Sequence, residues 1–166
     1  YSIINMLENN LSIYDIIELG PMTLSYVAGG SGHDHLFNVT KERFQYFLQQ
    51  METIFPRYDF ILFDMGAGVT RESLNFILAV DECILVTTPE PTALTDAYSM
   101  MKHVLMEETI PFYLIINRVT SERQGILLIN RLSNTAKRFL QQDIIPLGSI
   151  PDDQAVSDSV LVQRPF

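Results

Sequence analysis

Two spacings of apolar residues alternate along this chain. In "KERFQYFLQQMETIF" (41–55), Phe44, Phe47, Leu48, Met51 and Phe55 recur every three to four positions, the mark of one buried helical face. "TALTDAYSMMKHVLM" repeats the pattern with Leu94, Ala97, Tyr98, Met101 and Leu105 facing inward. "ILLINRLSNTAKRFL" and "DQAVSDSVL" also read as helices, as does "RESLNFILAV" with Thr70 as its N-cap. Between them run short β-rich segments: "TLSYVAG" (Thr23 to Gly29), "YDFILFD", "ECILVTT" closed by Pro89, "PFYLIIN" and "IIPLGSI". "YDFILFD" is too apolar for burial on one side, which predicts a parallel strand covered on both faces. The opening "YSIINMLENNLSIYDIIELGP" predicts two short helical turns, "LSIYDIIE" being the better of them.

Strands and helices in alternation predict an α/β fold, with a mostly parallel sheet and helices on both faces. No repeat, low-complexity tract or linker interrupts the pattern, so residues 1–166 read as a single domain.

Composition narrows the function. Hydrophobic residues make up 47% of the 166 and charged residues 19%, enough apolar content for a real core and too much for a disordered chain. The formal net charge is -9, and no Lys/Arg run is present, which counts against coating a nucleic acid. The one cysteine, Cys83, excludes an internal disulfide, fits a reducing compartment and sits in an apolar run as core rather than nucleophile. No apolar stretch reaches the roughly 18 residues of a membrane span, and no signal peptide is recognisable. The chain opens at Tyr1 rather than at a methionine and closes on "VQRPF", so it reads as a fragment of a longer protein.

In sheets of this kind ligands bind beyond the carboxyl ends of the strands. Those ends carry Asp64 with Met65-Gly66-Ala67-Gly68, then Thr87-Thr88-Pro89-Glu90, Asn117-Arg118, and Ile150-Pro151-Asp152-Asp153. Asp64 has two readings. A carboxylate closing an apolar strand suits magnesium carried by phosphates and water; it also suits a turn or cap that merely ends the strand. The glycines after it would let backbone amides approach a ligand. Asn117 can donate to and accept from a base edge, or serve as a turn asparagine. "AGGSGHDH" lacks the G-x-x-x-x-G-K-[ST] of a phosphate loop. The only lysines, Lys41, Lys102 and Lys137, follow no glycine-rich turn, so this stretch reads as a turn. His33 and His35 form an H-x-H pair with no third ligand nearby, and read as a solvated loop.

"YDFILFDMGAG", "DECILVTTPEPTALTDAYSMMK", "LIINRV" and "LGSIPDDQAVSDSVLVQRPF" together resemble the MinD/ParA group of deviant-Walker P-loop ATPases. "YVAGGSG", "DMGAG" and "TTPEPTALTDAY" resemble its flagellar-number branch, the FlhG (FleN or YlxH) type. The resemblance implies a truncated P-loop NTPase fold. It gives Asp64 the Walker B role of ordering magnesium through water, and gives Gly66, Ala67 and Gly68 the turn that senses the γ-phosphate. It makes Asn117 and Arg118 base contacts, with Pro151, Asp152 and Asp153 in the loop flanking the base.

The resemblance further implies a slow ATP hydrolase in the parent protein, with magnesium and ATP as cofactors and ATP-driven homodimerisation as the switch. It implies an FlhF-like GTPase and flagellar C-ring proteins as partners. It also implies a cytoplasmic protein at the inner face of the membrane, attached through a C-terminal helix that is absent from these residues. The family's lysine-bearing loop is likewise absent, so this chain is expected to hold no nucleotide and to be inactive by itself. Division-site MinD, a partitioning ParA and a non-catalytic interaction domain are the alternatives.

Overall fold

The computed structural model describes residues 1–29, 40–66, 74 and 76–163. They fall into two compact units, Tyr1–Met65 and Gly66–Phe166.

In the first unit the best-formed early helix is α1 (Ile3–Asn9). Ser2 and Asn5 close a reciprocal capping box on it, satisfying amides that the helix start would leave orphaned. "LSIYDIIE" contributes only a 3-10 turn, Ile13–Asp15, and this reverses the order the sequence predicts for the two segments. A short antiparallel pair follows, β1 (Glu18–Leu19) with β2 (Ser25–Tyr26). The strand expected over Thr23 to Gly29 is thus two residues long, with one further bridge from Ala28 to Ser2.

Helix α2 (Lys41–Ile54) starts at the Thr40 cap and stops before Pro56, which has no amide hydrogen to donate. Its buried stripe is Phe47, Met51 and Ile54. Leu48 and Phe55 lie one residue, or about 100°, off that stripe and are exposed, against expectation. Polar ties bind α2 to the N-terminal segment: the Ile13 amide donates to Gln50 Oε1 at 2.8 Å, Tyr46 Oη to the Leu11 carbonyl at 2.9 Å, and Tyr14 Oη to the Thr53 carbonyl at 2.8 Å.

The strand expected over Tyr58 to Asp64 does not form. Residues 60–66 join no ladder, and Phe60 and Leu62 are 86% and 79% exposed. Apolar character supplies a face to bury, but a strand also needs a neighbour to take its backbone hydrogen bonds, and no described strand pairs with this one.

In the second unit a parallel sheet forms in the order β3–β4–β5, from Cys83–Thr87, Phe112–Val119 and Ile144–Pro151. Helix α3 (Pro91–Glu107) connects the first two strands and α4 (Glu122–Leu140) the second two; α5 (Gln154–Leu161) follows. This is the α/β architecture that the alternation of periods predicts. Pro91 opens α3 at the position where a missing N–H costs nothing. Ser121 caps α4 by accepting from the Gln124 amide.

One core lies between the sheet and α3 and α4. Leu85, Phe112, Leu114, Ile116 and Ile144 meet Ala97, Met101, Val104, Leu132 and Ala136 there. Val104 takes a fully buried place, while the expected Leu94, Tyr98 and Leu105 pack around it partly buried. Ile84, Val86, Ile145 and Leu147, on alternate positions, remain about half exposed.

Two glycines shape β5 and its contact with α4. The register with β4 jumps from Leu114↔Pro146 to Ile115↔Gly148, so Leu147 is the extra residue of a bulge. Gly148 takes φ +133°, which side chains rarely adopt. Gly125, buried in α4, packs directly on β5: a Cβ added there would stand 2.6 Å from Ser149 Cβ.

Candidate functional site

Parallel pairing sets the carboxyl ends of β3, β4 and β5 side by side. Thr87 pairs with Ile116, and Ile116 with Ser149. The residues just past these ends line a shallow depression: Pro89, Glu90, Arg118, Thr120, Gln124 and Asp152.

Its geometry starts at Asn117. Asn117 Oδ1 accepts the Arg118 amide at 2.9 Å, and Arg118 adopts φ +60°, so β4 turns sharply where its register with β5 shifts between Ile116 and Val119. A left-handed arginine is uncommon and needs local support. Here the Asn117 side chain supplies it, and so does Asp152, whose amide donates to the Val119 carbonyl at 3.0 Å. The Arg118 guanidinium then reaches back: Nε donates to Asp152 Oδ1 at 3.0 Å. Asp153, next in line, caps α5 by accepting from the Ala155 amide at 2.8 Å.

Glu90 stands at the N-cap of α3, where a negative charge complements the helix dipole. Its carboxyl is held below the ordinary carboxylate range, first by a hydrogen bond from the Thr88 side chain, then by a backbone hydrogen bond, with the Arg118 charge adding to this. The Arg118 pKa is raised, chiefly by its bond to Asp152. On the far wall Gln124 Oε1 accepts from both the amide and the hydroxyl of Thr120, at 2.8 and 3.0 Å. The depression therefore offers a guanidinium held between carboxylates, with polar side chains around it.

Of the residues singled out from sequence, Asn117, Arg118, Pro151 and Asp152 are brought together here. Pro151 pairs with Val119 across β4 and β5. Asn117 performs the turn role, and its Nδ2 has no hydrogen-bond partner among the described residues. Asp64 belongs to the first unit; it is exposed and has no hydrogen-bond or ion-pair partner among the described residues. Gly66 is exposed with open space where a Cβ would stand. Ala67, Gly68, Thr70 and the His33/His35 pair lie outside the described residues. Among the described residues no group of three or more His, Cys, Asp or Glu side chains could hold a metal ion.

Glu90 falls within a strand end singled out from the sequence; Thr120 and Gln124 do not. The four-residue spacing of Thr120 and Gln124 across the Ser121 cap was the available signal. Thr87 adds one unexplained feature. It is buried, and its Oγ1 has no hydrogen-bond partner among the described residues.

No protein-family model matches the chain. Among curated proteins it is similar to the antiactivator FleN of Pseudomonas aeruginosa, 27% identical over 161 residues, covering 96% of this chain and 58% of FleN. It is also similar to the flagellum site-determining protein YlxH of Helicobacter pylori, 31% identical over 152 residues, covering 90% of this chain and 51% of YlxH. The chain thus spans little more than half the length of these relatives. Among solved structures, the MinD cell division protein of Aquifex aeolicus superposes with a TM-score of 0.70 over 99% of this chain and 65% of MinD, at 18% identity, a likeness of fold. By sequence and fold together, the chain belongs to the MinD/ParA family and is most like its FlhG-type members, FleN and YlxH.

Proposed function

We propose that this chain supplies the base-side part of the nucleotide site in an ATP-dependent dimerisation switch that regulates flagellar number or placement. The observation that carries the reading is the Asn117–Arg118–Asp152 arrangement beyond the carboxyl ends of a parallel sheet, where such folds bind ligands. The similarity to FleN and YlxH, named for antiactivation and flagellum site determination, favours the flagellar branch over MinD-like division or ParA-like partitioning.

The described residues fit the two implied groups differently. For an adenine base, Asn117 offers a free amide donor, Arg118 a planar cation held in place by Asp152, and Pro151 a rigid flank. For magnesium, one exposed carboxylate, Asp64, fits only an ion whose other ligands are phosphates and water. When bound, Mg-ATP would supply the γ-phosphate whose loss resets the switch. Ala67 and Gly68 belong to the same proposal, as the turn after Asp64.

The lysines of this chain, Lys41, Lys102 and Lys137, follow no glycine-rich turn, so these residues do not include the lysine-bearing loop that such transfer uses to neutralise a triphosphate. By itself the chain is therefore inactive and binds Mg-ATP weakly. The full-length protein would hydrolyse ATP slowly and dimerise around it. Its partners would be an FlhF-like GTPase and flagellar C-ring proteins, reached from a cytoplasmic position at the inner face of the membrane. No helix among the described residues is long and apolar enough to cross a membrane.

The test is Asp64→Ala in the full-length protein. Loss of ATP turnover with an altered number of flagella is expected; unchanged turnover and unchanged number would refute the role given to Asp64.

A further inference from the structure

Helix α4 carries an unusual share of the positive charge of an acidic chain. The chain holds 11 Lys and Arg against 20 Asp and Glu. Yet within α4 four cationic side chains, Arg123, Arg131, Lys137 and Arg138, face one carboxylate, Glu122. Lys137 is already matched by Asp143 at 2.9 Å. Arg123 and Arg131 have no ion-pair or hydrogen-bond partner for their guanidinium groups among the described residues, and Arg138 only covers the ring of Phe139.

These arginines share a stripe. Arg123, Leu127, Arg131 and Arg138 are spaced four, four and seven residues apart, so they fall on one helical face. Adjacent arginines then stand about 11–12 Å apart along the axis. The opposite face is committed to the core through Leu132 and Ala136. On the outer side Ile126 and Leu127 are 52% and 60% exposed, although leucine and isoleucine tend to be inside.

We infer that the outer face of α4 docks an acidic, amphipathic helical segment of a partner protein, whose carboxylates meet Arg123, Arg131 and Arg138 around an apolar contact at Ile126 and Leu127. Charge complementarity selects this occupant. A membrane or a duplex presents an extended sheet or rod of negative charge, which the whole chain at -9 would meet and repel. A single helical segment samples little beyond one screening length of about 8–10 Å, and so meets the arginine stripe alone. Two exposed aliphatic side chains on a helix already packed into a core are also too few to anchor it in lipid. Helix-in-groove and helix-on-helix recognition use this combination of apolar anchors and flanking charge.

The probe is a fluorescein-labelled helical peptide with glutamates spaced seven and eight residues apart and leucines between them. It is titrated with the whole chain and read by fluorescence anisotropy. Saturable binding is expected, weakening as salt is raised. The triple variant R123E/R131E/R138E should bind at least about tenfold more weakly at an unchanged thermal midpoint, and should recover binding to a lysine-for-glutamate version of the peptide. Leu127→Ser, which leaves every charge in place, should also weaken binding and serves if the triple variant does not fold. Equal binding by the variants, absence of binding by the wild-type chain, or binding to phosphatidylglycerol vesicles or duplex DNA in preference to the peptide would overturn the inference.

Discussion

Arg118 and Asp152 lie 34 residues apart in sequence, yet Arg118 Nε donates to Asp152 Oδ1 at 3.0 Å across the ends of β4 and β5. Both side chains are more than half exposed, at 63% and 54%. A pair this wet contributes little to stability, so its consequence is positional: it fixes the direction of a guanidinium at the mouth of the depression. Asp152→Asn should leave the thermal midpoint unchanged within error. In the full-length protein it should weaken nucleotide binding about tenfold, as the carboxylate charge that holds the ligand-positioning cation is lost and only a weaker amide acceptor remains. A large drop in midpoint with unchanged affinity would reverse this assignment.

Gly125 provides a sharper test of packing. Alanine is the better helix former by about 1 kcal/mol, so propensity alone predicts stabilisation. The added Cβ would stand 2.6 Å from Ser149 Cβ, on a strand pinned by its own ladder. We expect Gly125→Ala to destabilise by about 1–3 kcal/mol in urea unfolding, because α4 must lift away from β5. A stabilised variant would show that the contact is looser than described.

Thr87 offers the converse case. Its buried Oγ1 lacks a partner among the described residues, so Thr87→Val removes an unmet polar group at nearly constant shape. The expected result is neutral to about 1 kcal/mol more stable. Loss of more than that amount would mean that the hydroxyl is satisfied after all.

Cys83 predicts a pH dependence. Burial pushes its thiol above the ordinary range, because the thiolate is the form that desolvation penalises. The folded thiol therefore holds its proton at pH values where the unfolded one has lost it. The associated stability is fully present below the unfolded pKa and is lost as pH rises through the folded one. At mildly alkaline pH a thiol reagent should label the folded chain at least about tenfold more slowly than the chain in denaturant. Equal rates would place Cys83 at the surface.

Much of the second unit was legible because local signals and tertiary packing agree there. Pro91, Ser121 and Asp153 mark helix starts, and the apolar runs at Cys83–Thr87 and Phe112–Val119 have each other as partners. The run ending at Asp64 looked equally strand-like and formed none, since periodicity reports a face to be buried and says nothing of a neighbour. The bulge at Leu147 and Gly148 was invisible for a related reason: it exists only relative to β4. At the site, the strand-end rule points to Glu90, Asn117, Arg118, Pro151 and Asp152. The Thr120–Gln124 wall depends on where α4 begins, and the left-handed Arg118 depends on the Asn117 side chain and the Asp152 amide. For α1, the Ser2–Asn5 box outweighed the greasier "LSIYDIIE".

We propose that residues beyond β4 and β5 contact the base of an adenine nucleotide. An amide NMR titration of this 166-residue chain with Mg-ATP tests it most directly. Weak binding is expected, at a Kd near or above about 1 mM, with shift changes concentrated at Asn117, Arg118 and Asp152. Micromolar binding, or shift changes that leave those three residues untouched, would contradict it.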